Sequence, residues 1–176
     1  MSNIATALQA VNEAVERIKN DATQHFPEAA SVGDAVRQGD IYIQKIEDFT
    51  EAPKFYKRAE RPNPQLAPGD TKGSRHVLES LDSVEVFEID DETASWRGVS
   101  ALFGPDEPAR FGWSQFAARV TPILESLGYR GPILRVAKTA TVTHPEHGDW
   151  VLPSGTYQIT FQRTVDQARR VARVLD

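Results

Sequence analysis

Cysteine is absent from this chain. That excludes disulfides, thiolate metal ligation and thiol nucleophiles together, and it leaves the redox compartment open. No run of 18 apolar residues occurs, so no segment reads as a membrane-crossing helix. The opening MSNIATALQA has neither the basic start nor the apolar centre of a secretory leader. The expectation is a protein that is not secreted by a signal peptide, either cytoplasmic or assembled into a virion. Basic residues are outnumbered: 20 Lys and Arg face 25 Asp and Glu, a net charge of −5. A general nucleic-acid binder needs clustered cations to displace phosphate counterions, so that class is disfavoured. GxSxG, GxxxxGK[ST] and GxGxxG are all missing, which removes the nucleophile elbow, the P-loop and the dinucleotide fingerprint.

What remains is 176 residues, 40% apolar and 26% charged, enough for one domain with a real core. Ile4, Leu8, Val11, Val15 and Ile18 recur at spacings of 4, 3, 4 and 3, one narrow helical stripe. The stripe either docks on its own domain or packs on a neighbouring subunit, and it defines a helical arm at residues 1–30. The remainder, 37–176, reads as a β-rich domain with an inserted helix. Strand patterns fall at 41–46, 84–89, 133–137, 139–143, 150–152 and 156–162, with Pro153-Ser154-Gly155 as a tight turn. Phe116, Val120, Ile123, Leu124 and Leu127 place the inserted helix at 113–127, with Ser114 as N-cap, Gly128 as a left-handed C-terminal residue and Pro122 as a kink or break. Val171 and Val174 predict a short carboxy-terminal helix over 165–175, and residues 93–110 look irregular.

Two loops carry charge or chemistry. Lys54, Lys57, Arg58 and Arg61, interleaved with Phe55 and Tyr56, form a basic cluster in a proline-rich stretch. It is either a contact surface for an acidic or phosphate-bearing partner or a solvated loop, and the prolines argue against regular pairing there. His144-Pro145-Glu146-His147 sets two imidazoles and a carboxylate in one turn. With His76 as a third nitrogen ligand, and Glu146 or Glu79 beside it, the set has the donor types for one divalent transition metal in a cupin-like site. The competing reading makes His144 and His147 turn residues whose rings hydrogen-bond nearby backbone.

The ordered set RQGD (37–40), Gly-x-x-His (73–76), HPEH (144–147), LPSGTY (152–157) and QR (162–163) resembles a family of small β-rich proteins of bacteria and phage. Its pattern runs RQGD, GHxH, HxEH, LPxGxYxxxxQRE. The resemblance covers about residues 37–163 and implies a compact β-rich fold and no particular chemistry. This chain departs from the pattern at Ser74, where the family has its first histidine, and at Thr164, where an acid follows QR. Loss of that histidine weakens the metal reading and favours scaffolding or binding.

The expectation is therefore an α+β domain: an antiparallel sheet or small β-barrel, an N-terminal helix, one central packed helix and a short C-terminal helix. The expected function is a non-enzymatic structural or accessory protein of a phage-like or other large assembly, a homo-oligomer or larger complex made through the stripe Ile4, Leu8, Val11, Val15 and Ile18. The alternative is a cupin-like metal-binding enzyme using His76, His144, His147 and Glu146.

Overall fold

A computed structural model describes residues 23–67, 75–165 and 171–173. The amino-terminal stripe from Ile4 to Ile18 lies outside the described residues. The described chain runs β1 (Gln24–His25), β2 (Ala35–Gln38), β3 (Ile41–Ile46), β4 (Tyr56–Arg58), β5 (Gln65–Ala67), β6 (His76–Leu78) and β7 (Val84–Ile89). It continues through α1 (Trp96–Ser100), α2 (Glu107–Phe111), α3 (Trp113–Leu127), β8 (Arg130–Thr143), β9 (Trp150–Phe161), β10 (Arg163–Val165) and β11 (Val171–Arg173).

This is a mostly β protein, not the α+β domain expected. Nine strands form one open sheet, antiparallel except where β1 lies parallel to β9. The sheet does not close into a barrel. The short helix expected over 165–175 is also overturned: Arg163–Val165 pairs antiparallel with Val171–Arg173, Val165 opposite Val171. Val171 and Val174 fit a helical spacing, but β-branched residues favour a pleated surface and the three-residue segment pairs as a strand.

The β8–β9 hairpin is the spine. Its two strands, 14 and 12 residues long, absorb segments that the sequence pattern divides. Pro153-Ser154-Gly155 does not turn the chain. It stays in β9 opposite a bulge, where Val136 faces Gly155 and Thr139 faces Pro153, so that Ala137 and Lys138 stand against Ser154 alone. An extra residue on one strand bends the ladder and increases its twist, and proline is tolerated at such irregularities. Gly155 has φ +153, outside the range a side chain readily adopts. Ala137 N–H donates to Ser83 O at 2.8 Å, and Ser83 Oγ donates to Thr139 O at 2.7 Å, so the bulge is bridged rather than left unpaired.

On either side of the bulge the hairpin takes different partners. Ile133 to Val136 pair with β7, and Val142 and Thr143 pair with β6. On the other edge, β3 covers Thr156 to Phe161 and β1 covers Trp150 and Val151. The inward residues of both halves, among them Ile41, Ile43, Leu78, Leu134, Val142, Leu152, Tyr157 and Ile159, form a single core.

Residues 93–110, expected to be irregular, hold α1 and α2. Ser95 Oγ accepts from Gly98 N–H at 3.1 Å and caps α1. The helix at 113–127 forms as expected and runs through Pro122 without dividing. Its N-cap is Gly112 rather than Ser114, and Gly128 is right-handed rather than left-handed. Val99, Phe116, Val120 and Leu127 make a second small core, into which Phe55 packs from the sheet side. Phe55 has φ +72, a conformation that strains a bulky residue. The strain is held by its neighbours in the turn: Asp90 N–H donates to Phe55 O at 2.8 Å and Tyr56 N–H to Pro53 O at 2.9 Å.

Tyr157 is fully buried, its hydroxyl donates to Pro153 O at 2.9 Å, and burial pushes its pKa up to about 12. The folded state therefore holds this proton more tightly than the unfolded chain does. The associated stability is complete below the unfolded value near 10 and is lost as pH rises toward 12. In a urea-melt series from pH 8 to 12, stability should fall above pH 10, and Tyr157→Phe should flatten that decline.

Candidate functional site

The ordered motifs, more than 100 residues apart in the chain, come together at one end of the sheet. RQGD forms the β2–β3 hairpin turn. Gln38 pairs with Ile41, leaving a two-residue loop of Gly39 and Asp40, and Gly39 has the positive φ of +56 that such a loop needs at its first position. Arg37 grips its own turn through Nε to Gly39 O at 2.7 Å. It also reaches the QR segment through Nη2 to Gln162 Oε1 at 2.7 Å. Gln162 N–H returns a bond to Asp40 O at 2.7 Å.

The tip of this hairpin is buried against the HPEH turn and the start of β6. Gln38, Asp40 and His76 are 1%, 2% and 2% exposed, and His144 is buried as well. Gln38 Nε2 donates to the carbonyls of Val142 and Gly148, which fixes its amide oxygen toward His76 Nδ1 at 3.0 Å. An amide oxygen only accepts, so Nδ1 carries hydrogen. On the other side of the ring, Nε2 lies 2.8 Å from Asp40 Oδ1. His76 thus meets an acceptor at each nitrogen, and the geometry is that of an imidazolium held between a carboxylate and an amide.

His144 is in the other protonation pattern. Its Nδ1 accepts from the backbone N–H groups of Glu146 and His147, each at 3.1 Å, so that nitrogen presents a lone pair. Asp149 Oδ1 accepts from His144 N–H at 3.3 Å and closes the turn. This is how Pro145 and Gly148, with φ +72, are held in register. The three imidazoles then stack: His76 to His144 at 4.5 Å between centroids, His144 to His147 at 4.4 Å with planes 24° apart. The stack runs from the buried His76 to the exposed His147, and Glu146 is exposed beside it.

The structure therefore brings His76, His144 and His147 together, as the metal reading requires, but face to face. A metal sits near the plane of each ring that ligates it, at about 2 Å from the nitrogen. His144 and His147 lie stacked, and His76 is tilted 37° from His144. Among the described residues no group of three or more His, Asp or Glu side chains is arranged to hold a metal ion. Glu79, the other carboxylate considered, is exposed, and its backbone N–H bonds to Thr141 O.

The residues that sequence reasoning passed over are Arg37, Gln38, Asp40 and Gln162. The signal was present in the fixed tetrapeptide RQGD, which carries three hydrogen-bonding side chains around a hairpin glycine. A turn of that composition reads as solvated by default, and only the pairing of β3 with the end of β9 buries it.

Two of the four cations in the basic cluster around residue 57 are paired with acids. Lys57 pairs with Asp90 at 2.7 Å and Arg58 with Glu85 at 2.7 Å. Despite the prolines, Tyr56–Arg58 pairs with β7 and Gln65–Ala67 with β6.

Compared with known protein families, curated proteins and solved structures, the chain matches none.

Breaking a buried ion pair by removing one member costs about 3–5 kcal/mol, because the other charge is left uncompensated. Asp40→Ala should therefore lower unfolding free energy by about that amount in urea melts. Asp40→Asn, whose amide can donate to a neutral His76 ring, should lose clearly less. Nitrogen-resolved NMR of the native protein should find hydrogen on both ring nitrogens of His76, and a neutral ring there would refute the ion pair.

Proposed function

We propose that the protein is a non-enzymatic structural or accessory component of a larger assembly, working through protein–protein contacts, and that a second copy of the chain is among its partners. The observation that carries this reading is the surface of the helical segment. Trp96, Leu102, Phe111 and Trp113 are exposed there, Trp113 by 70%. Two of them share a neighbour: Trp96 and Trp113 both stand edge-on to Phe116, at 6.3 and 6.0 Å between centroids. Arg119 lies over both Phe103 and Phe111 at 5.4 Å and is also paired with Glu107. Aromatics and arginine on an exposed apolar patch are the composition of interface centres, and isolated soluble domains rarely display such a patch without use.

The histidine cluster supports the same reading from the other side. Its polar groups are spent on one another and on backbone, as in a structural clasp. The cupin-like metal enzyme gains no support from stacked rings. The phage-like character of the assembly is carried by the motif resemblance.

Sedimentation velocity over a concentration series tests the proposal. The native chain should associate as concentration rises. Trp113→Ser should weaken that association about thirtyfold, the effect of losing an interface tryptophan worth about 2 kcal/mol. The melting temperature should barely move, since the side chain is largely in solvent. A native chain that remains monomeric throughout would count decisively against this reading.

A further inference from the structure

A second concave site lies on the outer face of the sheet, away from the core. In the β3–β9 ladder, Ile41 and Ile43 point inward with Phe161 and Ile159, so Tyr42, Gln44 and their partners Thr160 and Gln158 point the other way. Arg130, the first residue of β8, pairs with Thr160. Tyr42, Thr160 and Arg130 thus form one row across three strands. The end of α3 and the Gly128-Tyr129 link rise over this row, and Arg163 closes the far side. Together they enclose a cavity of about 530 Å³.

Its chemistry is one-sided. Two arginines and two tyrosines line it with serine, threonine and glutamine, beside Ile46 and Phe161, and among the described residues no carboxylate does. This is unusual placement for a chain whose net charge is −5. Elsewhere on the sheet, three cations sit against acids, Arg135 with Asp48 and Glu85, Arg58 with Glu85 and Lys57 with Asp90, while Arg37 and Lys45 bond to amide and carbonyl oxygens. Neither Arg130 nor Arg163 is in an ion pair among the described residues. Arg163 instead lies over the Tyr129 ring at 4.5 Å, which orients the guanidinium without neutralising it.

The floor is rigid. Gln158 Nε2 donates to Gly131 O at 2.9 Å and to Ile159 O at 2.7 Å, and its Oε1 accepts from Tyr56 Oη at 3.1 Å. Gly131 suits this close approach, since a Cβ there would lie 3.0 Å from the Phe161 ring and 3.1 Å from Ile159, a tight contact that both side chains would have to ease. At the end of α3, Leu124 O accepts from Gly128 N–H and Ser126 O from Tyr129 N–H.

We propose that this cavity binds a small molecule carrying an oxyanion, phosphate or carboxylate, on a planar body. Guanidinium groups match such oxyanions through paired N–H donors, and a low-dielectric concavity strengthens the attraction. The exposed face of Tyr42 offers a surface for the planar part. The volume lies in the range of small-ligand sites and is too small for a macromolecular surface.

Calorimetric titration of the full chain at low ionic strength with phenyl phosphate, benzoate and neutral benzamide tests this. One or both anions should bind saturably and benzamide should not. Phenyl phosphate alone would identify the phosphate source, and benzoate alone the carboxylate source. Arg130→Gln and Arg163→Gln should each weaken binding about tenfold or more, the effect of one lost charge-assisted hydrogen bond. Lys138→Gln, an exposed cation on the β8 bulge, should change nothing. Chemical-shift mapping on the native chain should centre on Tyr42, Tyr129 and Thr160, independently of how the variants fold. No saturable binding of either anion would overturn the proposal. So would equal binding by the two arginine variants, equal binding of benzamide, or shifts centred elsewhere.

Discussion

The ladder between β8 and β9 is the constraint on which everything else in this chain depends. On its outer edge each strand takes two partners rather than one, β7 and β6 along β8 and β3 and β1 along β9. The bulge at Ala137 and Lys138 lets one hairpin serve two sets of neighbours, because an extra residue bends the strand and changes its twist. Leu134 and Val142, on opposite sides of that irregularity, consequently contribute to the same core. Pro153 and Gly155 are compatible with this and with little else. Proline cannot give a ladder hydrogen bond, and glycine accepts the φ of +153 that the bend demands.

Once the hairpin is bent, its open end must be closed, and the buried clasp does that. A hairpin tip inserted there brings polar backbone with it, and polar groups out of water must be paired. RQGD supplies an amide to two carbonyls and a carboxylate to His76, while His144 satisfies two amides of its own turn. Such a network adds less to net stability than apolar packing of the same volume would, since desolvation offsets most of the attraction. Its effect is on uniqueness: a one-residue slip of β3 would take Asp40 from His76 and leave two buried charges unpaired. The same packing sets the three imidazoles ring against ring.

The sequence made the local elements legible where one period dominates. Helix 113–127 was readable because Phe116, Val120 and Leu127 fall on one face, and the strand at 84–89 because its alternation is clean. The fold class was misread because periodicity is local. Val171 and Val174 satisfy a helix and a strand alike, and only pairing with Arg163–Val165 decides between them. The merging of 150–152 with 156–162 was invisible for a related reason: Pro-Ser-Gly is turn composition, and its place opposite a bulge depends on residues about 16 positions earlier. At the site, the histidines were found by residue type. Asp40 and Gln38 were not, because burial of a polar turn is a tertiary event. The short strands at 56–58 and 65–67 were hidden by prolines that lie beside them rather than in them.

The charges obey a pattern that follows from the same architecture. Around β4 and β7, cations and acids sit opposite one another, and the hydrogen bond that Lys57 donates to Asp90 holds its pKa above the ordinary range. Asp48 is held below the usual carboxylate range first by the Thr156 hydroxyl, then by the Phe49 amide, with Arg135 adding to both. Arg130 and Arg163 stand apart from this balance, and their position explains why. They flank the strand ends where β9 hands over from the clasp to the outer face. Gln162 bonds Arg37 on the clasp side while its neighbour Arg163 lies over Tyr129 on the cavity side. Clasp and cavity therefore share β3 and this dipeptide. A change in the pairing of Tyr42 with Thr160 would be felt at Asp40, two residues away in the same hairpin.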